Sequence, residues 1–118
     1  MIKIETFIVD IDGTICNNTN GDYENAKPIQ HRIDKINQLY DKGHHVIYFT
    51  ARGMGRTGND IDAAKNKFYD LTFKQLQEWG CKFDSLMLGK PAGTLYIDDK
   101  AINDGDFFNY FVRNYDNE

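Results

Sequence analysis

The sequence predicts an α/β domain of three layers, a mostly parallel sheet with helices on both faces, and three observations carry that expectation. Short β-branched and aromatic runs alternate with stretches of helical periodicity. Gly43 and Gly80 follow the last periodic residues of two of those stretches. Polar residues stand where the apolar runs stop, as at the carboxyl ends of strands in an open parallel sheet.

Residues 6–11, Thr-Phe-Ile-Val-Asp-Ile, read as a buried first strand that Gly13-Thr14 ends. Residues 16–27 are rich in Asn, Asp, Gly and Thr without periodicity, which predicts a loop or small hairpin projecting from the strand's end. Pro28 suits the first turn of a helix, along which Ile29, Ile33, Ile36 and Leu39/Tyr40 repeat on one face. Val46-Ile47-Tyr48-Phe49 reads as a second buried strand, followed by the Gly-rich loop 51–59 and a helix over about residues 60–79. Residues 85–88 read as a third strand leading into Gly89-Lys90-Pro91, and residues 94–97 as a fourth that delivers Asp98 and Asp99. The tail from Phe107 to Val112 is apolar enough to pack on the sheet or on another subunit.

A length of 118 residues matches one domain with one core. An apolar share of 41% and a charged share of 27% are those of a globular chain, and disorder is excluded. The net charge of -4, with no Lys/Arg cluster, argues against an obligate nucleic-acid partner. Cys16 and Cys81 lie apart, outside any zinc or redox spacing, and read as two reduced thiols. The first ten residues carry charges, and no segment approaches the roughly 20 apolar residues that cross a bilayer, so a cytoplasmic protein without membrane contact is expected.

If the sheet is parallel, Asp10, Asp12, Thr50, Lys90, Asp98 and Asp99 reach one rim although they are scattered through the chain. That set suits phosphoryl transfer, which needs a nucleophile, a proton donor for the leaving oxygen and positive charge around the transferred group. A carboxylate at position 10 can attack phosphorus, and Gly13 permits the bend that turns a second one, Asp12, away from it. Thr50 offers a hydroxyl to a phosphoryl oxygen and Lys90 a point charge. Four carboxylates at one rim repel one another unless a hard cation neutralises them, and oxygen ligands beside phosphate indicate Mg2+.

Asp10-Ile11-Asp12-Gly13-Thr14, Thr50, Lys90 and Asp98-Asp99 resemble, in order, the four motifs of the haloacid dehalogenase superfamily, across residues 7–99. The resemblance implies a Rossmann-like fold, with Asp10 as nucleophile and Asp12 as general acid and then base. It further implies Thr50 and Lys90 as phosphate ligands. Magnesium would be held by Asp10, the Asp12 backbone carbonyl and Asp98, with Asp99 supporting it through water. The second aspartate is similar to the phosphatase and phosphotransferase branches, because the dehalogenases lack it. Neither gap that could hold a cap domain is long enough, which resembles capless members, including sugar-acid phosphate phosphatases, whose sites a neighbouring subunit often closes. A homo-oligomer acting on a small phosphorylated metabolite is therefore expected. The runs Phe49–Gly53 and Tyr96–Lys100 are also similar to small phosphatases encoded with capsule and sugar-nucleotide pathways.

The candidate phosphate-binding set is then Thr50, Ala51, Lys90 and Gly13, and the candidate metal set Asp10, Asp12, Asp98 and Asp99. Arg52 and Arg56 either clamp a second anionic group of the substrate or are solvated surface. Tyr23 and the loop around it either cover the leaving group or form an uninvolved flap. His44 and His45 fall opposite the site and read as structural. Gly53 to Gly58 fits G-x-G-x-x-G, but its first Gly comes three residues after the strand and the acidic residue expected further on would fall within a helix near Glu78, which counts against a dinucleotide site. The remaining rival is a receiver-like phosphoacceptor domain without sustained turnover. Thr50 and Lys90-Pro91 fit it, whereas Asp10-Ile11-Asp12 stays unexplained.

Overall fold

The structure, a computed structural model, describes residues 2–118. Its sheet has three parallel strands, β1 (Thr6–Val9), β2 (His45–Thr50) and β3 (Ser85–Leu88), in the order β1-β2-β3. Three helices follow them: α1 (Gln30–Asp41), α2 (Ile61–Glu78) and the short α3 (Asp104–Asn109). Right-handed crossovers that move the chain twice in the same direction place α1 and α2 over the same face of the sheet. That face is the core. Phe7 pairs with Val46, Val9 with Tyr48, Tyr48 with Leu86 and Thr50 with Leu88, and Ile33, Ile36, Leu39 and Leu76 of the two helices pack into the same cluster. The other face carries Ile8, Ile47, Phe49 and Met87 and is more open, with Ile8 66% and Met87 50% exposed.

The helix ends follow local chemistry. The Asp60 carboxylate accepts the Ala63 N–H at 3.1 Å and starts α2. Pro28 lies outside α1, which begins at Gln30 with Ile29 in an extended conformation before it. Phe107 of α3 and Val112 beyond it are buried while Tyr110 and Phe111 are exposed, so only part of the apolar tail packs. The Phe7 ring meets Phe107 and Tyr115 edge-on, and buried His44 accepts the Glu5 N–H at Nδ1 and turns Nε2 to Glu118, 2.8 Å away. This histidine is a fastening for the tail. Among the described residues, no helix is long and apolar enough to cross a membrane.

The expected fourth strand is absent and is corrected here: residues 94–97 make no ladder, and Leu95, Tyr96 and Ile97 are 76%, 51% and 94% exposed. The connection explains it. Residues 89–93 are too few for a parallel crossover, which ordinarily takes about a dozen residues or more. Propensity alone, without a way back to the sheet's other end, does not make a strand.

Candidate active site

Just past β1 the chain turns tightly. Ile11 is fully buried, and its carbonyl accepts the N–H of Thr14 at 3.0 Å and of Ile15 at 2.9 Å. Anchored by Ile11, the alternating side chains of Asp10 and Asp12 come out at the pocket. Gly13 sits at φ +81°, where a Cβ would touch nothing within 4 Å, so the glycine serves the backbone conformation and not a close contact.

The Asp10 carboxylate has two partners of different kinds. Thr14 Oγ1 donates to its Oδ2 at 3.0 Å, and Lys90 Nζ stands 3.4 Å from its Oδ1. Lys90 is brought there by its backbone N–H, which reaches the Thr50 carbonyl at 3.2 Å across the ends of β2 and β3. Thr50 is buried, and its Oγ1 accepts the Arg52 N–H at 3.1 Å, which leaves the hydroxyl proton to be donated toward a ligand. One pocket is lined by Asp10, Asp12, Thr50, Ala51, Arg52, Lys90 and Tyr23, together with Asn18, Gly21 and Tyr96. Segments 40 residues apart thus meet at one rim, as a parallel sheet requires.

Arg52 corrects the expectation of a surface or substrate-clamping side chain. It is 1% exposed, with Nε 2.9 Å from Asp12 Oδ2 and Nη2 3.0 Å from Asp12 Oδ1, while Nη1 donates to Thr72 Oγ1 at 3.2 Å and Gln75 Oε1 at 2.6 Å. Arg56 is exposed and fastens the flap: its Nη2 donates to the Gly21 carbonyl at 2.7 Å, and its guanidinium lies over the Tyr23 and Phe68 rings. Tyr23 is held from three sides. Its hydroxyl accepts the Gly53 N–H at 3.0 Å, its carbonyl accepts from Gln75 Nε2 at 2.6 Å, and its ring lies over Arg52.

Asp98 and Asp99 are not brought to this pocket. Both are exposed just past the segment that was expected to be a strand, and the Lys100 N–H, 2.8 Å from Asp98 Oδ1, holds the Asp98 carboxyl below the usual range. With Asp10 engaged by Lys90 and Asp12 by Arg52, the carboxylates are charge-balanced by side chains. Among the described residues no group of three or more His, Cys, Asp or Glu is gathered as for a metal ion. Mg2+ ordinarily takes one or two carboxylates and completes its octahedron with waters and substrate phosphate, so of the expected set Asp10 and Asp12 are the residues at this pocket that would hold it.

Thr72 and Gln75 escaped the sequence reading, although polar residues three apart on the buried face of a helix are a legible signal of a buried polar partner. Cys16 escaped it too. Its Sγ lies 3.5 Å from Asp12 Oδ1, and burial, with the Asp12 charge second, pushes its thiol up to about 12.

No protein-family model and no curated protein matches the chain. Among solved structures, it is similar to a target protein from Vibrio cholerae, at a TM-score of 0.84 and 23% identity, over 94% of this chain and 95% of that one. It is also similar to the D,D-heptose 1,7-bisphosphate phosphatase from B. bronchiseptica, crystallised with magnesium and phosphate, at a TM-score of 0.52 and 17% identity. That match covers 96% of this chain but 64% of the phosphatase, less than two thirds of its length. At these identities the likeness is one of fold, and it agrees with a Rossmann-like α/β architecture.

Proposed function

We propose that the chain is a phosphomonoester hydrolase that works through an aspartyl phosphate on Asp10. The observation that carries this reading is the meeting of Asp10 with Lys90 and Thr14 in the same pocket as Asp12 and Thr50. Asp10 attacks phosphorus as the bond to the leaving oxygen breaks, and Asp12 gives that oxygen its proton. Asp12 then takes a proton from the water that attacks the phosphoaspartate, which releases inorganic phosphate and restores the Asp10 carboxylate. Lys90 and the Thr50 hydroxyl stabilise the negative charge of the transferred group.

Magnesium dependence is part of the proposal. It rests on the four-motif resemblance and on the magnesium and phosphate of the fold neighbour, and no step above is routed through the ion. The substrate class proposed is a small sugar or sugar-acid phosphate. A second copy of the chain is proposed to help enclose it, in keeping with the exposed Leu95 and Ile97 beyond Lys90.

The test is a phosphate-release screen over a panel of phosphorylated metabolites, with magnesium and with a chelator in its place. Sustained release that the Asp10→Asn variant lowers by about 1,000-fold or more is expected. Release that persists in the chelator would remove magnesium from the reading. Labelling of Asp10 without turnover would move the chain to the phosphoacceptor class.

A further inference from the structure

We propose that Arg52 is a positioning residue whose guanidinium fork holds the Asp12 carboxylate in the orientation for proton exchange; this rests on the hydrolase reading above. The geometry is that of a bidentate pair, with Nε 2.9 Å and Nη2 3.0 Å from the two Asp12 oxygens. Arg52 itself cannot follow a moving partner. Nη1 is tied to Thr72 and Gln75 of α2, and the Tyr23 ring covers the guanidinium at 4.9 Å.

Two other roles fail on the same observations. A substrate clamp needs free donors, yet four of the guanidinium's N–H groups are spoken for and the residue is 1% exposed. Burying the guanidinium costs more than an apolar filling of the same space, so its role lies beyond packing, in what its partner faces. Here the pair is lopsided. The Arg52 side chain is 0% exposed while that of Asp12 is 20% exposed and lines the pocket.

The pairing also distinguishes the two Asp12 oxygens. Oδ1 takes Arg52 Nη2 and the Cys16 thiol, whereas Oδ2 takes Arg52 Nε alone. Oδ2 is the oxygen left to carry the travelling proton. Arg52 gives up no proton itself; it keeps Asp12 from rotating that oxygen away as the leaving group departs.

Leaving-group chemistry makes the role measurable. An alkyl alkoxide needs its proton as the phosphorus–oxygen bond breaks, whereas an aryl oxide leaves with little help, so a misplaced Asp12 harms the first substrate more. Hydrolysis of an alkyl and an aryl phosphate ester is compared with magnesium for wild type, Arg52→Met, Asp12→Asn and the double variant. Arg52→Met is expected to lower kcat about 100-fold on the alkyl ester and under about 10-fold on the aryl ester, with KM within about threefold. Asp12→Asn follows the same pattern, and adding Arg52→Met to it costs little more. Arg52→Lys keeps the charge without the fork and falls between. It also serves if the Met variant does not fold.

Equal losses on both esters, a KM effect alone, or independent losses in the double variant overturn the proposal. The alkyl ester is one that the metabolite screen shows the wild type to hydrolyse, and a wild type that releases phosphate from no member of that panel overturns the hydrolase reading instead. Denaturation of the same four proteins then decides the pairing: coupled losses of midpoint uphold an Arg52-held Asp12, and additive ones overturn it.

Discussion

Asp10 stands between a hydroxyl and an ammonium, and the difference between them sets what each should do. Thr14 donates at 3.0 Å from within the same turn, so it orients the carboxylate; Lys90, at 3.4 Å and half-buried, supplies charge. Replacing Lys90 with Gln keeps a donor and removes the charge, and it should lower kcat by about 100-fold while the chain stays folded, as read by circular dichroism. An unchanged kcat would place Lys90 outside the reaction. Gly13 bears on stability in a different way. At φ +81° any L side chain is strained, while nothing stands within 4 Å of the added Cβ, so Gly13→Ala should destabilise by about 1–2 kcal/mol through backbone conformation alone. Urea denaturation checks it.

Elements show the same logic of local need and tertiary opportunity. The Asp60 cap of α2 is a local need met by one side chain, and Asp60→Ala should lower stability by about 1 kcal/mol. Residues 94–97 had the propensity for a strand without the opportunity. Because Ile97 is 94% exposed, Ile97→Ser should change stability by less than about 0.5 kcal/mol; a larger loss would show that this segment is buried in solution. Three of the strands, α1 and α2 were legible from the sequence because apolar periodicity and flanking Gly report burial directly. So were Asp10, Asp12, Thr50 and Lys90, since parallel strands deliver their carboxyl ends to one rim whatever lies between them. Asp98 and Asp99 were misplaced because their position depended on a crossover length, which periodicity does not measure. Arg52 was misread for a related cause: beside Gly53 and Gly55 it looks like loop surface, and only the packing of α2 against the loop buries it. Thr72 and Gln75 carried the missing signal, two polar residues on a helix face otherwise turned to the core.

At the scale of the whole molecule, the groups that burial perturbs are neutral acids, and that fixes the direction in which pH acts. Burial raises Cys16 from 9.0 to about 12 and Cys81 to about 11, and it raises Tyr48 as well. Each raised group keeps its proton longer in the folded chain than in the unfolded one. Above the unfolded thiol value, the unfolded state therefore binds fewer protons, and stability falls as pH rises. The stabilisation from these groups is fully present below about pH 9 and is lost progressively toward pH 12. Urea midpoints measured at pH 7.5 and pH 10 should differ in that sense, with the lower midpoint at pH 10. Cys16→Ala separates the thiol from the other groups: its midpoint is lower at pH 7.5 because a buried side chain is truncated, but its further drop to pH 10 should be smaller than that of the wild type. An equal drop would assign the alkaline weakening to Tyr48, Cys81 and Tyr115, all raised by burial, and would detach Cys16 from it although its thiol lies against Asp12.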